Sequence, residues 1–225
     1  MNFAKIGFGC IASLALAGGV QAQVAVSADI GTTGVGAYLI VPMEATLNGR
    51  FGAHTLSRSN DQHAAAIDYD RKATLRNVDI LFDWFAVEGS AFRMTGGVIY
   101  NGNKLEAHAL PGANGNYTIN GKTYTAADVG TLDGLVEFRR AAPYLGIGWG
   151  NPLAISRKKW HLIGDLGVVL QGPAKVKLVS LGCTTSQTVC RGLARDVAAE
   201  RTRFEEEIDI TRIYPVLRIG AAYRF

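Results

Sequence analysis

The sequence predicts an all-β fold: a transmembrane, antiparallel, up-and-down β-barrel of eight strands with a short helix in one long loop. Three observations predict it. Apolar residues alternate with polar or small ones at period two through most of the 225-residue chain. Beyond the N-terminal segment no apolar run reaches the roughly 20 residues that a membrane-spanning helix needs. The last alternating stretch closes on aromatic residues, Tyr223 and Phe225.

The N-terminus reads as a cleaved export signal, residues 1–22. Lys5 supplies the positive charge, Ile11 to Val20 the short apolar stretch, and Val20-Gln21-Ala22 the cleavage positions before Gln23. Cys10 precedes most of that stretch, which does not suit a lipoprotein. Residues 23–225 then form one barrel domain.

The first barrel segment, Val24 to Val41, is interrupted by Gly31-Thr32-Thr33-Gly34 and supports two readings. A hairpin there makes two short strands; a glycine bulge leaves one long one. The hairpin brings the total to eight, the even number that returns both termini to one side. Next, Leu47, Phe51 and Ala53 alternate with Asn48, Arg50, Gly52 and His54. Val78, Ile80, Phe82 and Trp84 alternate with Asn77, Asp79, Leu81 and Asp83. Phe92, Met94, Gly96, Val98 and Tyr100 alternate with Arg93, Thr95, Gly97, Ile99 and Asn101. Leu145, Ile147 and Trp149 alternate with three glycines. Trp160, Leu162, Leu166, Val168 and Leu170 alternate with His161, Ile163, Asp165, Gly167 and Val169. In the final strand Leu217, Ile219, Ala221, Tyr223 and Phe225 oppose Arg218, Gly220, Ala222 and Arg224. Aromatics tend to end these stretches, as interfacial belts require.

Connections also alternate. Pro42 to Ala45 and Val87 to Ala91 are short, and Asn151 to Lys159 is of medium length. Arg58 to Ile67 is longer; Ala107 to Asp133 and Gly182 to Arg212 are long. Short turns on one side and long loops on the other are the barrel habit. Within the central loop, Tyr117 to Tyr124 reads as a hairpin about Asn120-Gly121, a pair suited to a type I′ turn. Leu193, Val197, Phe204 and Ile208 share one helical face, which places a short amphipathic helix over the barrel mouth.

Alternation alone fits a soluble sandwich equally well. The aromatic ending selects the barrel, with apolar residues facing lipid and polar or small ones facing the lumen. On that register Arg50, Asp79, Asp83, Arg93, Asp165, Arg218 and Arg224 form a lumen charge network. An eight-stranded barrel has room inside only for side chains, so these charges would pair and plug it. A narrow polar path for ions or small solutes is the alternative.

Little suggests catalysis. His54 and Ser57, at i and i+3, fall on opposite faces of a strand, so His54 reads as a lumen residue. His63 and His108 sit in polar loops, and His161 shares a face with Asp165. The pattern calls for no cofactor and no metal. Cys183 and Cys190, with six residues between them, suit a local disulfide in an oxidising compartment. The net charge of +4 is spread along the chain, without the basic stripe of a nucleic-acid-binding protein.

The stretch Tyr214-Pro215-Val216-Leu217-Arg218-Ile219-Gly220-Ala221-Ala222-Tyr223-Arg224-Phe225 resembles the closing strand of the small bacterial outer-membrane barrels, the class of the OmpA transmembrane domain, OmpX and OmpW. Gly31 to Gly36, Ala142 to Gly150 and Asp165 to Gly172 resemble segments of proteobacterial barrels without assigned function. The resemblance implies the bacterial outer membrane as location and lipopolysaccharide as surroundings. It also implies that Tyr223 and Phe225 form the signal read by the barrel-assembly machinery. Oligomeric state is left open. Three function classes remain: a structural or surface-interacting barrel, a small-solute pore, and a lipid A-modifying enzyme. Deleting Phe225 should reduce the amount of assembled protein in the outer-membrane fraction; undiminished insertion would count against the signal.

Overall fold

A computed structural model describes residues 23–64, 67–111, 114–155, 157–208 and 212–225, with the backbone alone described at 58–64, 67–71, 110 and 207–208. The proposed signal, residues 1–22, lies outside the described residues. The elements run β1 (Ala25–Gly31), β2 (Gly34–Glu44), β3 (Leu47–Ala64), β4 (Ile67–Trp84), β5 (Phe92–Asn101), β6 (Lys104–Leu110), β7 (Asn116–Ile119) and β8 (Lys122–Thr125). They continue α1 (Ala126–Val129), β9 (Thr131–Glu137), β10 (Ala141–Trp149), β11 (Trp160–Leu170), β12 (Lys175–Leu181), α2 (Gln187–Ile208) and β13 (Ile213–Arg224).

Eight strands close the wall, in the order β4, β3, β2, β1, β13, β11, β10, β5, with β5 returning to β4. Each neighbouring pair is antiparallel. The Gly31–Gly34 segment is a hairpin: β1 and β2 pair through Gly31 opposite Gly34. The strand count of eight therefore holds, and both described ends of the wall lie on the side of the short turns.

The alternation sorts the side chains as a barrel requires. Val78, Ile80, Phe82 and Trp84 are exposed on β4, as are Leu145, Ile147 and Trp149 on β10, and Leu217 and Ile219 on β13. With Leu162, 80% exposed, these residues make an apolar exterior of a kind that singly scattered surface hydrophobics on a water-soluble sheet do not. Trp84, Phe92, Trp149, Trp160, Tyr223 and Phe225 ring the turn side. There Trp160 meets Tyr223, and Tyr223 meets Phe225, edge to face with ring centroids 5.1 and 5.3 Å apart. The inner face is less uniformly polar than the alternation implies. Ile40, Leu81, Ile99, Ile163, Val169 and Val216 point inward and pack with Tyr38 and Tyr144.

The loops depart most from expectation. Residues 58–64 and 67, expected to lie in a loop, are strand: β3 and β4 keep an unbroken register from Leu47–Trp84 out to Ala64–Ile67, beyond the wall. Above Thr74, β4 leaves β5 and takes β6 as its neighbour; β9 pairs with β6, and β12 with β9. Much of the long central loop is therefore strand, and His108 sits on β6 rather than in a loop. These strands are short and non-local, so period-two counting gives them no signal.

The β7–β8 hairpin turns at Asn120-Gly121, both with positive φ (49° and 74°), the conformation a type I′ turn requires. α2 begins at Gln187, six residues before its amphipathic face is legible. The Ser186 hydroxyl accepts from the Val189 N–H at its start. The disulfide between Cys183 and Cys190 ties the helix entry to the end of β12. Leu193 and Val197 pack with Tyr117, Ile119, Val129, Ala109 and Leu132 in a second apolar cluster. Ala109, Leu132 and Leu178 mark the sheet face that continues the lumen side of β4, so α2 and the hairpin lie on the mouth side of this outer sheet.

Asp196 pins the helix to the hairpin. It accepts from Asn120 Nδ2 (3.1 Å), from Lys122 Nζ (2.9 Å) and from the Tyr124 hydroxyl. The Tyr124 bond first, then Lys122 and Asn120, hold its carboxyl down at about 2. An unfolded Asp titrates near 3.9. A depressed carboxyl stabilises docking fully above the unfolded value and stops doing so as pH falls through the folded one. The α2 amide NMR signals should therefore stay docked at pH 5 and loosen between about pH 4 and 2, while the barrel signals persist. Concerted loss of both sets would contradict this account.

Candidate functional site

The lumen collects the chemistry of the described residues. Arg50, Asp79, Asp83, Arg93, Asp165 and Arg218 are all buried in it, Arg50 and Arg218 at 1% exposure. Two layers result. In the layer nearer the turns, Arg50 on β3 grips Asp165 on β11 with two hydrogen bonds of 2.9 Å, while its Nε lies 2.8 Å from Asp83 on β4. Arg93 on β5 reaches the same two carboxylates, Asp165 at 2.8 Å and Asp83 at 3.3 Å, and donates to the Gly150 carbonyl at 2.5 Å. Thr95 donates to Asp83 at 2.7 Å.

In the layer nearer the loops, Arg218 on β13 meets Asp79 on β4 at 2.9 Å and Thr33 at 2.8 Å. Tyr38 on β2 joins both, donating to Asp79 and accepting from Arg218. Its ring also receives the guanidiniums of Arg50 and Arg218, 5.0 and 5.7 Å from the centroid, which links the layers. His54 lies between carboxylates, 2.7 Å from Asp29 and 3.4 Å from Asp79.

Two of these contacts span the lumen. β3 and β11 stand four places apart in a ring of eight strands, as do β13 and β4. Arg50–Asp165 and Arg218–Asp79 are therefore diametric struts. Polar amides flank them: Asn101 donates to Gln171 at 3.2 Å toward the loops, and Asn48 to Asn151 at 3.4 Å toward the turns. On the turn side a vestibule of about 780 Å³, lined by Glu44, Glu88, Asn48 and Asn151 among others, opens below them.

Space for the arginines comes from glycine. A Cβ on Gly148 would stand 2.7 Å from the Arg93 guanidinium, so the glycine alternation of β10 lets Arg93 lie flat against the wall.

The remaining sites fall elsewhere. Arg224 is inward and donates to the Ala154 (2.6 Å) and Lys158 (3.4 Å) carbonyls of the β10–β11 turn. His161 bonds the Lys158 carbonyl at 3.0 Å, not the Asp165 carboxylate whose face it shares. His108 pairs with Asp133 at 2.7 Å in the open. Ser57 is exposed and His54 buried, on opposite sides of β3. The His63 side chain lies outside the described residues. Tyr223 and Phe225 occupy the turn-side aromatic ring.

Sequence reasoning missed Tyr38, Asp29 and Tyr144 as lumen residues. Parity of β1 and β2, once the hairpin at Gly31–Gly34 is accepted, would have placed the first two inside.

A closed wall, an apolar exterior with an aromatic rim and an interior filled with paired charges define a bacterial outer-membrane-type β-barrel. No family model matches the chain, and no curated protein matches it. Among solved structures it is similar to CarO of Acinetobacter baumannii, at 23% identity with a TM-score of 0.56, covering 90% of this chain and 98% of that one. It is also similar to CarO2 of the same organism, at 19% identity and a TM-score of 0.57, covering 91% and 99%. A major outer membrane protein from Thermus thermophilus aligns at 17% identity and a TM-score of 0.42, over 92% and 100%. The CarO likenesses concern the fold.

Removing Asp165 leaves two buried guanidiniums short of a partner, and breaking a buried pair costs about 3–5 kcal/mol. Asp165→Asn should lower the midpoint of heat-modifiable gel migration well below that of Asp128→Asn, whose carboxylate is on the surface. Equal midpoints would contradict the inward register.

Proposed function

We propose that residues 23–225, once the signal is removed, act as a structural and surface-interacting outer-membrane barrel whose lumen is closed. The reading is non-enzymatic. The observation that carries it is the pair of diametric struts, Arg50–Asp165 and Arg218–Asp79. An interior only wide enough for side chains is here crossed twice by ion pairs, and each carboxylate serves more than one donor. Moving an ion through requires separating desolvated charges, and each such separation is expensive. The buried aliphatic residues between the charges support the same reading, because they leave no continuous polar lining.

The working surface is then outside the membrane, on β6, β9, β12, the β7–β8 hairpin and α2. Insertion is assigned to the barrel-assembly machinery acting on the strand that carries Tyr223 and Phe225. A lipid A-modifying activity finds little support, since His54 is sealed inside and Ser57 is not within its reach.

Planar bilayers test the proposal directly. The folded protein should give no steady conductance, whereas a variant that removes both struts, Arg50→Ser, Asp79→Ser, Asp165→Ser, Arg218→Ser, should give discrete steps. Steady ion-selective steps from the unaltered protein would establish the narrow-pore alternative instead.

A further inference from the structure

The outer sheet has two unlike faces. Its mouth-side face is apolar and covered by α2 and the hairpin. Its other face continues the lipid-facing side of β4, because β3 and β4 hold register without a bulge. Along that side the residues run Trp84, Phe82, Ile80 and Val78, all exposed, and then Arg76, Thr74 and Lys72. Val78 pairs with Tyr100, the exposed aromatic at the loop-side edge of β5. Arg76 stands two residues further on, about 7 Å along the strand.

The added strands extend this change sideways. Lys104 pairs across β9 with Glu137, and Glu137 with Lys175 on β12, so the three share one face. The next row places Lys72 opposite Glu106, and Leu135 opposite Lys177. Lys177 reaches back to Glu137 at 2.9 Å and Lys104 approaches it at 3.9 Å. The Lys177 hydrogen bond, with Lys104 and Arg140 close by, holds the Glu137 carboxyl below its ordinary value. On these two rows and at Arg76, five cations face outward against two carboxylates. Farther out the excess ends, at the His108–Asp133 pair and the exposed Val179 and Leu181.

Positive charge is thus concentrated in the rows nearest the apolar belt, on the side of the wall that meets lipid. A soluble partner could approach any face of the outer sheet, but this band lies at headgroup depth. We propose that it binds the phosphate groups of lipopolysaccharide in the outer leaflet and so fixes how deeply the barrel sits. The inference rests on the reading of the chain as an outer-membrane barrel with its long loops outward.

The probe is bisphosphorylated lipid A, titrated into the detergent-solubilised full-length mature protein. Each basic residue at an anionic lipid surface is worth about a factor of five in affinity. The triple variant Arg76→Gln, Lys104→Gln, Lys175→Gln should bind on the order of 100-fold more weakly, and Lys175→Gln alone about fivefold. Arg157→Gln, Arg191→Gln, Arg195→Gln, which removes equal charge from the turn side and α2, should bind like the unaltered protein. The dephosphorylated lipid should bind weakly to every variant. The site is overturned if the triple variant binds as tightly as the original, if the control variant loses as much, or if phosphate makes no difference. Heat-modifiable migration separates the two levels. A normal shift with unaltered binding in the triple variant removes the headgroup site alone, whereas no shift in the original protein removes the barrel reading beneath it.

Discussion

Neutralising charge inside a closed wall is the constraint on which the rest depends. Arginines and aspartates enter the lumen because period-two alternation in a lipid-facing barrel sends every second residue inward. Once there they have no water with which to share their charge, and an unpaired one is very costly. The wall therefore has to bring strands from opposite sides within reach. Arg50 and Asp165 lie 115 residues apart in sequence, and Arg218 meets Asp79 across a comparable interval. Eight strands supply a diameter that one arginine and one aspartate can span. A larger ring would leave each pair open to water, and a smaller one could not hold the guanidiniums.

The same constraint explains features that look unrelated in sequence. Gly148 on β10 is the absence of a side chain where Arg93 must lie. Tyr38 supplies both a hydroxyl between Asp79 and Arg218 and a ring face for two guanidiniums, so one residue joins the layers. The inward aliphatic residues fill volume that charges could occupy only with further partners. On the closed-lumen reading proposed above, such an interior is nearer to a protein core with embedded ion pairs than to a water-filled channel.

The wall was legible because a half-lipid-exposed strand advertises itself over eight or more residues, as on β4, β5 and β13. All seven inward charges follow from parity alone; six lie in the two layers, and Arg224 serves the turn carbonyls. Their partners were not legible, since alternation says which side a residue faces and nothing about which strand stands opposite. Asp29 and Tyr38 escaped because the Gly31–Gly34 segment admitted a bulge, and a bulge reverses parity on one side of it. The outer sheet escaped for another reason. β6, β9 and β12 have seven residues each, and their pairing depends on the β3–β4 hairpin continuing past the membrane, where side-chain patterning no longer has a lipid face to mark it. Residues 187–192 of α2 carry no apolar period, so its start depends on Ser186 and the disulfide.

One strand shows how these demands divide. Over Val78 to Trp84, β4 turns its even-numbered residues to acyl chains and its odd ones inward, Asp79 to Arg218, Asp83 to Arg50 and Arg93, and Leu81 to the apolar filling between them. Over Lys72 to Arg76 the even residues are turned to the same side but are charged or polar, and the odd ones, Ala73 and Leu75, are small or apolar. The polarity of the two faces inverts at a single level, between Arg76 and Val78, while the backbone register does not change. An inversion of that kind is what a change of surroundings on each face would require: hydrocarbon gives way to a polar medium outside, and the packed lumen gives way to the apolar underside of the outer sheet within. The boundary of the membrane is thus written into β4 by composition, independently of the aromatic ring at the opposite end.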